Sequence, residues 1–341
     1  MVRSFLLVSL LALAPLFAET PPGLEALTSD MALPSPERNW ARLGVQSWEL
    51  RKLNRIIREG GVEGWNVAYK SGNLRIAGYM AHPYLKYDEQ GEPKEKWPVM
   101  VINPGGNQGV SRAYREVALA FARLGYIVVA SGYRGGRGPE GRSEGLPEYA
   151  KGEVIDVLQL AQLVKKMDYV DFSRMAVFGE GHGAAITAQI VARSNIFRAA
   201  VIANPVLFSG TPEHSFAGLQ RLRSIYQTRF GRNLSESQTI MELRTRDSFR
   251  SAARISTPTL IIASDNDPGI GETLSWVGLL REKAVPHEFL HYRSMFPNFL
   301  TATDNGTRPP DWKQTRSQAW AGIFDWIEKH APAGPLIEEE E

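Results

Sequence analysis

Short, wholly apolar runs separated by amphipathic segments constrain this chain more than any other feature. "PVMVIN" (98–103) and "YIVVAS" (126–131) are too short for ordinary helices and show no polar face, as strands covered on both sides require. Between them "RAYREVALAFARLG" puts Tyr114, Val117, Phe121 and Leu124 on one helical face. The alternation continues, with helical patterns at 153–166, 183–194, 271–284 and 316–330. Strand-like stretches stand at 175–178, 199–203, 258–263 and 287–292. Upstream, "WNVAYK" (65–70) and "LRIAGYM" (74–80) flank Ser-Gly-Asn, a hairpin signal. The pattern predicts an α/β protein: an eight-stranded, mostly parallel sheet with helices on both faces, in one domain over 62–333. The stretch 205–250, with Phe208, Phe216, Tyr226 and Phe230 among arginines, has no clear period. It reads as an irregular insertion able to cover a pocket at the carboxyl ends of the strands.

The flanks differ in character. Residues 1–18, "MVRSFLLVSLLALAPLFA", place Arg3 before an apolar run broken by Pro15 and end on Ala18. That is the layout of a secretory signal peptide, too short to span a bilayer comfortably, and it predicts export to a periplasm or the medium. Residues 19–61 form an N-terminal extension, in which the Ser-Pro start, helical spacing and Gly-Gly stop of 35–61 predict one helix. Arg51, Lys52, Arg55 and Arg58 would form its solvated face. Residues 334–341 read as an acidic tail. Basic and acidic residues nearly balance, 39 against 37, and are scattered, which argues against a nucleic-acid partner. The chain has no cysteine, so disulfides, a thiol nucleophile and a lipidated cysteine are excluded. Asp265 and Asp267 lie in an Asp-Pro-Gly turn and suggest no metal site. We expect no cofactor, no membrane span once the leader is removed, and a small molecule or peptide as partner.

The chemistry turns on "AVFGEGHGAAI" (176–186), an apolar run, a glycine bend and an alanine-rich start of a helix. Gly179-Glu180-Gly181-His182-Gly183-Ala184 satisfies the dinucleotide fingerprint G-x-G-x-x-A. The next strand, however, ends in Asn204-Pro205 with no acid for a ribose hydroxyl, and four strands precede the bend, whereas such a fingerprint normally opens its domain. The other context is the hydrolase elbow, in which a nucleophile occupies the centre of G-x-S-x-G. Here the centre is Gly181.

Six stretches, the bend among them, bear on the choice. From about 62 to 330 the chain resembles the catalytic domain of the prolyl oligopeptidase family, within the α/β-hydrolase fold. "GNLRIAGYMAHP" is similar to its opening hairpin, "VMVINPGGNQG" to its glycine loop and "ARLGYIVVASGYRGGRGPEGR" to its Tyr-Arg-Gly segment. "VDFSRMAVFGEGHGAA" resembles the elbow, "ISTPTLIIASDNDPGIG" the acid-bearing turn and "AVPHEFLHYRSMFPNF" the histidine segment.

The resemblance implies a serine hydrolase triad, in which an imidazole takes the serine proton and an acid orients the imidazole. Carried over position by position, the nucleophile falls on Gly181, the acid on Asp267 and the base on Pro297. The oxyanion donors fall on Gly106 and His182, and Pro104 stands where the family usually has histidine. Only the acid survives. The expectation is an exported pseudo-hydrolase retaining a pocket, with His182 as a packed side chain and Asp267 bracing its turn. Two alternatives remain: a peptidase or esterase with a rearranged site, for which Ser294 and His291 are the nearby candidates, and a dinucleotide-binding protein through GEGHGA.

Overall fold

The computed structural model describes residues 50–335, apart from 107, 211–215, 232 and 305. The leader, residues 19–49 and the tail from 336 onward lie outside the described residues. In chain order, β1 (Arg51–Glu59), β2 (Val62–Ser71), β3 (Leu74–Pro83) and β4 (Trp97–Asn103) lead to α1 (Arg112–Arg123) and β5 (Ile127–Ser131). A two-stranded ribbon, β6 (Arg137–Gly138) with β7 (Gly141–Arg142), precedes α2 (Gly152–Val164), β8 (Val170–Glu180), α3 (His182–Val191) and β9 (Ala199–Ala203). Next come α4 (Phe216–Phe230), α5 (Glu236–Thr245) and the short α6 (Ser248–Ser251). The chain then runs through β10 (Thr259–Ser264), α7 (Ile270–Glu282), β11 (His287–Tyr292) and α8 (Trp312–His330).

One sheet holds nine strands in the order β1-β2-β3-β5-β4-β8-β9-β10-β11. The pairs from β5 to β11 are parallel, and β1, β2 and β3 add antiparallel edges. All eight expected strands are present. Alternation sorts their side chains: Val99 and Val101 join the core beneath α2, α3 and α7, while Met100 and Ile102 join the core beneath α1 and α8.

The ninth strand replaces part of the expected helix. Residues 51–59 pair with β2, so the sheet begins before residue 62. The register of β1 slips between Lys52 and Asn54 and again between Arg55 and Ile57. Each bulge inserts one residue into a period of two. Lys52, Arg55 and Arg58 therefore emerge at every third position, which imitates a helix face in the sequence. They are exposed on the edge strand, with Lys52 and Arg55 over Trp65 and Arg58 over Tyr84. Charges there discourage pairing with another chain. At the other end, Gly334 packs against Trp97 and its N–H donates to Gly125 O (3.2 Å), so the fold extends just past residue 333.

The stretch 205–250, expected to be irregular, carries three helices, α4, α5 and α6, among its described residues. It follows β9 and is anchored by Arg246, which is 1% exposed. That guanidinium donates to the carbonyls of Tyr149 (2.6 Å) and Glu148 (2.5 Å) and to the Glu242 carboxylate (2.5 Å). The corner it grips is backbone-strained, since Tyr149 (φ 59°) and Ala150 (φ 56°) are both left-handed. From the other side the Glu153 carboxylate accepts the N–H groups of Glu148 and Tyr149 (2.6 and 2.9 Å). Arg246→Ala would leave two buried carbonyls without this donor and strip the Glu242 carboxylate of its shorter ion pair, with Lys151 remaining at 3.4 Å. The expected loss of stability is about 3–5 kcal/mol, measured by urea unfolding, and a loss under about 1 kcal/mol would mean that the corner holds without Arg246.

Candidate functional site

Strand order reverses at β4, which has β5 on one side and β8 on the other. Loops leaving β4 and β8 therefore part in opposite directions and open a crevice at the carboxyl ends of the strands. The glycine loop from Pro104 and the bend at Gly181 both lie at this reversal.

Gly181 has φ 58° and ψ −115° and its N–H donates to Ala203 O (2.9 Å). L-residues rarely hold such a backbone, which is the sharp strand-to-helix geometry of an elbow. Two residues on, a side chain at Gly183 would collide with the Asn103 carbonyl. These two glycines are accounted for by chain reversal and close packing, with no need for a pyrophosphate.

His182, 4% exposed, is a packed side chain. Its Nδ1 lies 2.7 Å from Gly106 O and its Nε2 accepts the Ala150 N–H (3.3 Å), so the proton sits on Nδ1. The ring stacks on Tyr149, with centroids 4.1 Å apart. Both nitrogens are committed, and the imidazole ties the glycine loop to the corner held by the insertion.

The acid turn and the segment carrying Pro297 are brought together. The N–H groups of Asp265 and Asn266 donate to Tyr292 O (3.3 Å) and Met295 O (3.1 Å). Asp267 Oδ1 accepts the Gly269 N–H (2.7 Å), which braces the turn into α7. Burial raises the pKa of this carboxyl above the ordinary aspartate value, Glu272 adds to the rise, and the Gly269 bond opposes it. Pro297 sits in the loop beyond β11, but the side chain that reaches Gly181 belongs to its neighbour. Asn298 Oδ1 lies 2.9 Å from where a Cβ on residue 181 would stand.

His291 Nε2 pairs with Asp265 Oδ1 (2.6 Å), and Ser294 meets Asp265 through its backbone N–H (3.4 Å). Their contacts thus run through Asp265, with the imidazole nitrogen nearest the acid already engaged. Among the described residues no three His, Cys, Asp or Glu side chains are grouped to hold a metal.

Sequence reasoning passed over Asn298, Tyr149, Tyr114 and Thr301. The one available signal was Asn298 itself, since asparagine tolerates the left-handed backbone it adopts here (φ 59°).

Glu180, fully buried beneath the bend, accepts hydrogen bonds from Tyr114 Oη (3.0 Å) and from Thr301. Burial raises its pKa from 4.5 to about 7, although the bonds from Thr301 and Tyr114 favour the charged form. Between those two values the folded chain keeps a proton that the unfolded chain has lost, so stability falls as pH rises. Glu180→Gln should remove that fall, and its stability relative to the parent should grow by roughly 3 kcal/mol from pH 4 to pH 8 in urea melts. A difference that did not change with pH would place the titrating group elsewhere.

Residues 111–295 match the prolyl oligopeptidase family. Acylamino-acid-releasing enzyme 1 of Oryza sativa subsp. japonica is 27% identical over 249 residues, covering 68% of this chain and 30% of that protein. The uncharacterized peptidase YuxL of Bacillus subtilis (strain 168) is 26% identical over 200 residues, covering 56% and 29%. The chain thus spans less than a third of the length of these relatives. Among solved structures, uncomplexed Pyrococcus horikoshii acylaminoacyl peptidase superposes with a TM-score of 0.60 at 18% identity, over 83% of this chain and 43% of that one. The acetyl xylan esterase from Paenibacillus sp. R4 gives 0.62 at 17%, over 85% and 92%. At such identities the likeness is one of fold, and it is the α/β-hydrolase fold. With the family match covering more than half of its length, the chain belongs to the prolyl oligopeptidase family.

Proposed function

We propose that this chain is an exported family member without covalent catalysis, which keeps its crevice to bind a small molecule or peptide. One observation carries the reading: the residue at the centre of the elbow is Gly181, with the Asn298 amide beside it. Acyl transfer through a serine needs a hydroxyl and a base to take its proton. Glycine supplies no hydroxyl, and neither an amide nor Pro297 accepts a proton at neutral pH. The neighbouring imidazole of His182 is engaged at both nitrogens. Export rests on the sequence of residues 1–18, which lie outside the described residues.

After treatment of the chain with a fluorophosphonate, mass spectrometry should find no adduct on any serine, whereas a stoichiometric adduct would favour a rearranged hydrolase. Gly181→Ser should also stay unlabelled. It places a side chain at φ 58° and against Asn298 Oδ1, so thermal unfolding should show a loss of about 1–3 kcal/mol. Adding Asn298→Ala should recover part of that loss and still give no adduct. If the serine variant alone were labelled, the site would contain a base that this reading omits.

A further inference from the structure

A hollow of about 400 Å³ opens beside the vacated centre, between the start of α1 and the loop after β11. Asn298 lines it and also touches the place of a side chain on residue 181, so one side chain stands between the hollow and the bend. No lining residue is acidic. Ser111, Thr301 and Thr303 contribute to the wall along with Arg112 and Arg308, and the rest is alanine and proline.

The two arginines are not equivalent. Arg112 is paired with Glu116 (2.8 Å). Arg308 lies over the Phe296 ring, 3.9 Å from its centroid, and Phe296 is itself backed by Trp312. Its Nε is enclosed and makes no hydrogen bond. Asp304 feels the Arg308 charge, but it is bonded to Lys313 (2.8 Å). A guanidinium held flat by a ring, with no carboxylate in ion-pair contact among the described residues, is prepared to take a planar anion through its terminal nitrogens. The Ser111 hydroxyl makes no bond to the helix it precedes, which leaves a second donor on the wall.

We infer that this hollow binds a small carboxylate-bearing molecule, with Arg308 holding the carboxylate and the uncharged part extending past Asn298 toward Gly181. Of the two arginines on the wall, Arg112 is neutralised by Glu116 and Arg308 is partly offset by Asp304, so the remaining charge suits a single negative charge, a carboxylate rather than a dianionic phosphate. The inference rests on the binding reading of the crevice proposed above.

Isothermal titration of the whole chain with benzoate, and separately with inorganic phosphate, tests it. Benzoate should bind saturably at one site and phosphate more weakly. Arg308→Gln should weaken benzoate by about tenfold or more with an unchanged thermal melt, and Arg308→Lys, which keeps charge but loses the planar fork, should fall between. Arg58→Gln, at the far edge of the sheet over Tyr84, should bind as the parent does. The proposal is overturned if the parent shows no saturable benzoate binding, if phosphate binds as tightly, or if the Arg308 variants bind like the parent. Should Arg308→Gln fail to fold, Arg308→Lys decides alone. A fluorophosphonate adduct would sink the reading beneath this one, whereas absent benzoate binding without an adduct would sink this proposal only.

Discussion

The approach of α3 to β4 is the contact on which the site depends. The backbone of Gly183 lies against the Asn103 carbonyl, a distance that no side chain would permit. The contact is locked by the Asn103 amide donating to Thr187 Oγ (2.8 Å) and Thr187 donating to Gly183 O (2.8 Å). With the helix drawn in this far, the chain must reverse within two residues after β8, and the left-handed Gly181 absorbs the reversal. The bend therefore faces the crevice at the topological switch whatever side chain it carries.

Two buried networks radiate from that bend. On one side His182 joins Gly106 to Ala150, and through the strained 149–150 corner to Arg246 of the insertion. On the other, Glu180 joins Tyr114 of α1 to Thr301 of the loop after β11. Buried donors and acceptors in such networks are costly to leave unmatched, so they hold their geometry tightly. None of these bonds involves a nucleophile or a catalytic base. This explains physically how the elbow, the glycine loop and the acid turn can persist in a chain whose central position is glycine.

Membership of the family and catalysis by this chain are thus separate matters. The family is carried by the sheet, the bend and the order of the loops, which are set by packing. Catalysis would be carried by side chains at three loop positions, which packing does not require. Asp267 illustrates the distinction, because its carboxylate has a structural task in bracing the turn into α7 even without an imidazole to orient. At the bend itself Gly181 is part-exposed and Asn298 exposed.

Much of this was legible in the sequence because burial leaves a periodic mark. Strands covered on both faces, such as 99–102, can be written only in apolar residues, and helices between them only with one apolar face. The bend was legible because few residues other than glycine fit it. The edge strand at 51–59 was not, since its two bulges convert a period of two into an apparent helical spacing, and bulges are set by the partner strand. The insertion was not, since its anchor is one arginine whose grip on the 148–149 corner spans almost a hundred residues. Asn298 was missed for a related reason: neighbours in a loop point in different directions, and only the folded loop decides which of them, Pro297 or Asn298, meets Gly181. The sequence by itself determined the layers, the succession of strands and helices along the chain and the absence of a side chain at the elbow, because these follow from local periodicity and residue identity. Tertiary structure alone decided what stands beside Gly181 and which charges remain unpaired, because those depend on contacts between segments far apart in the chain.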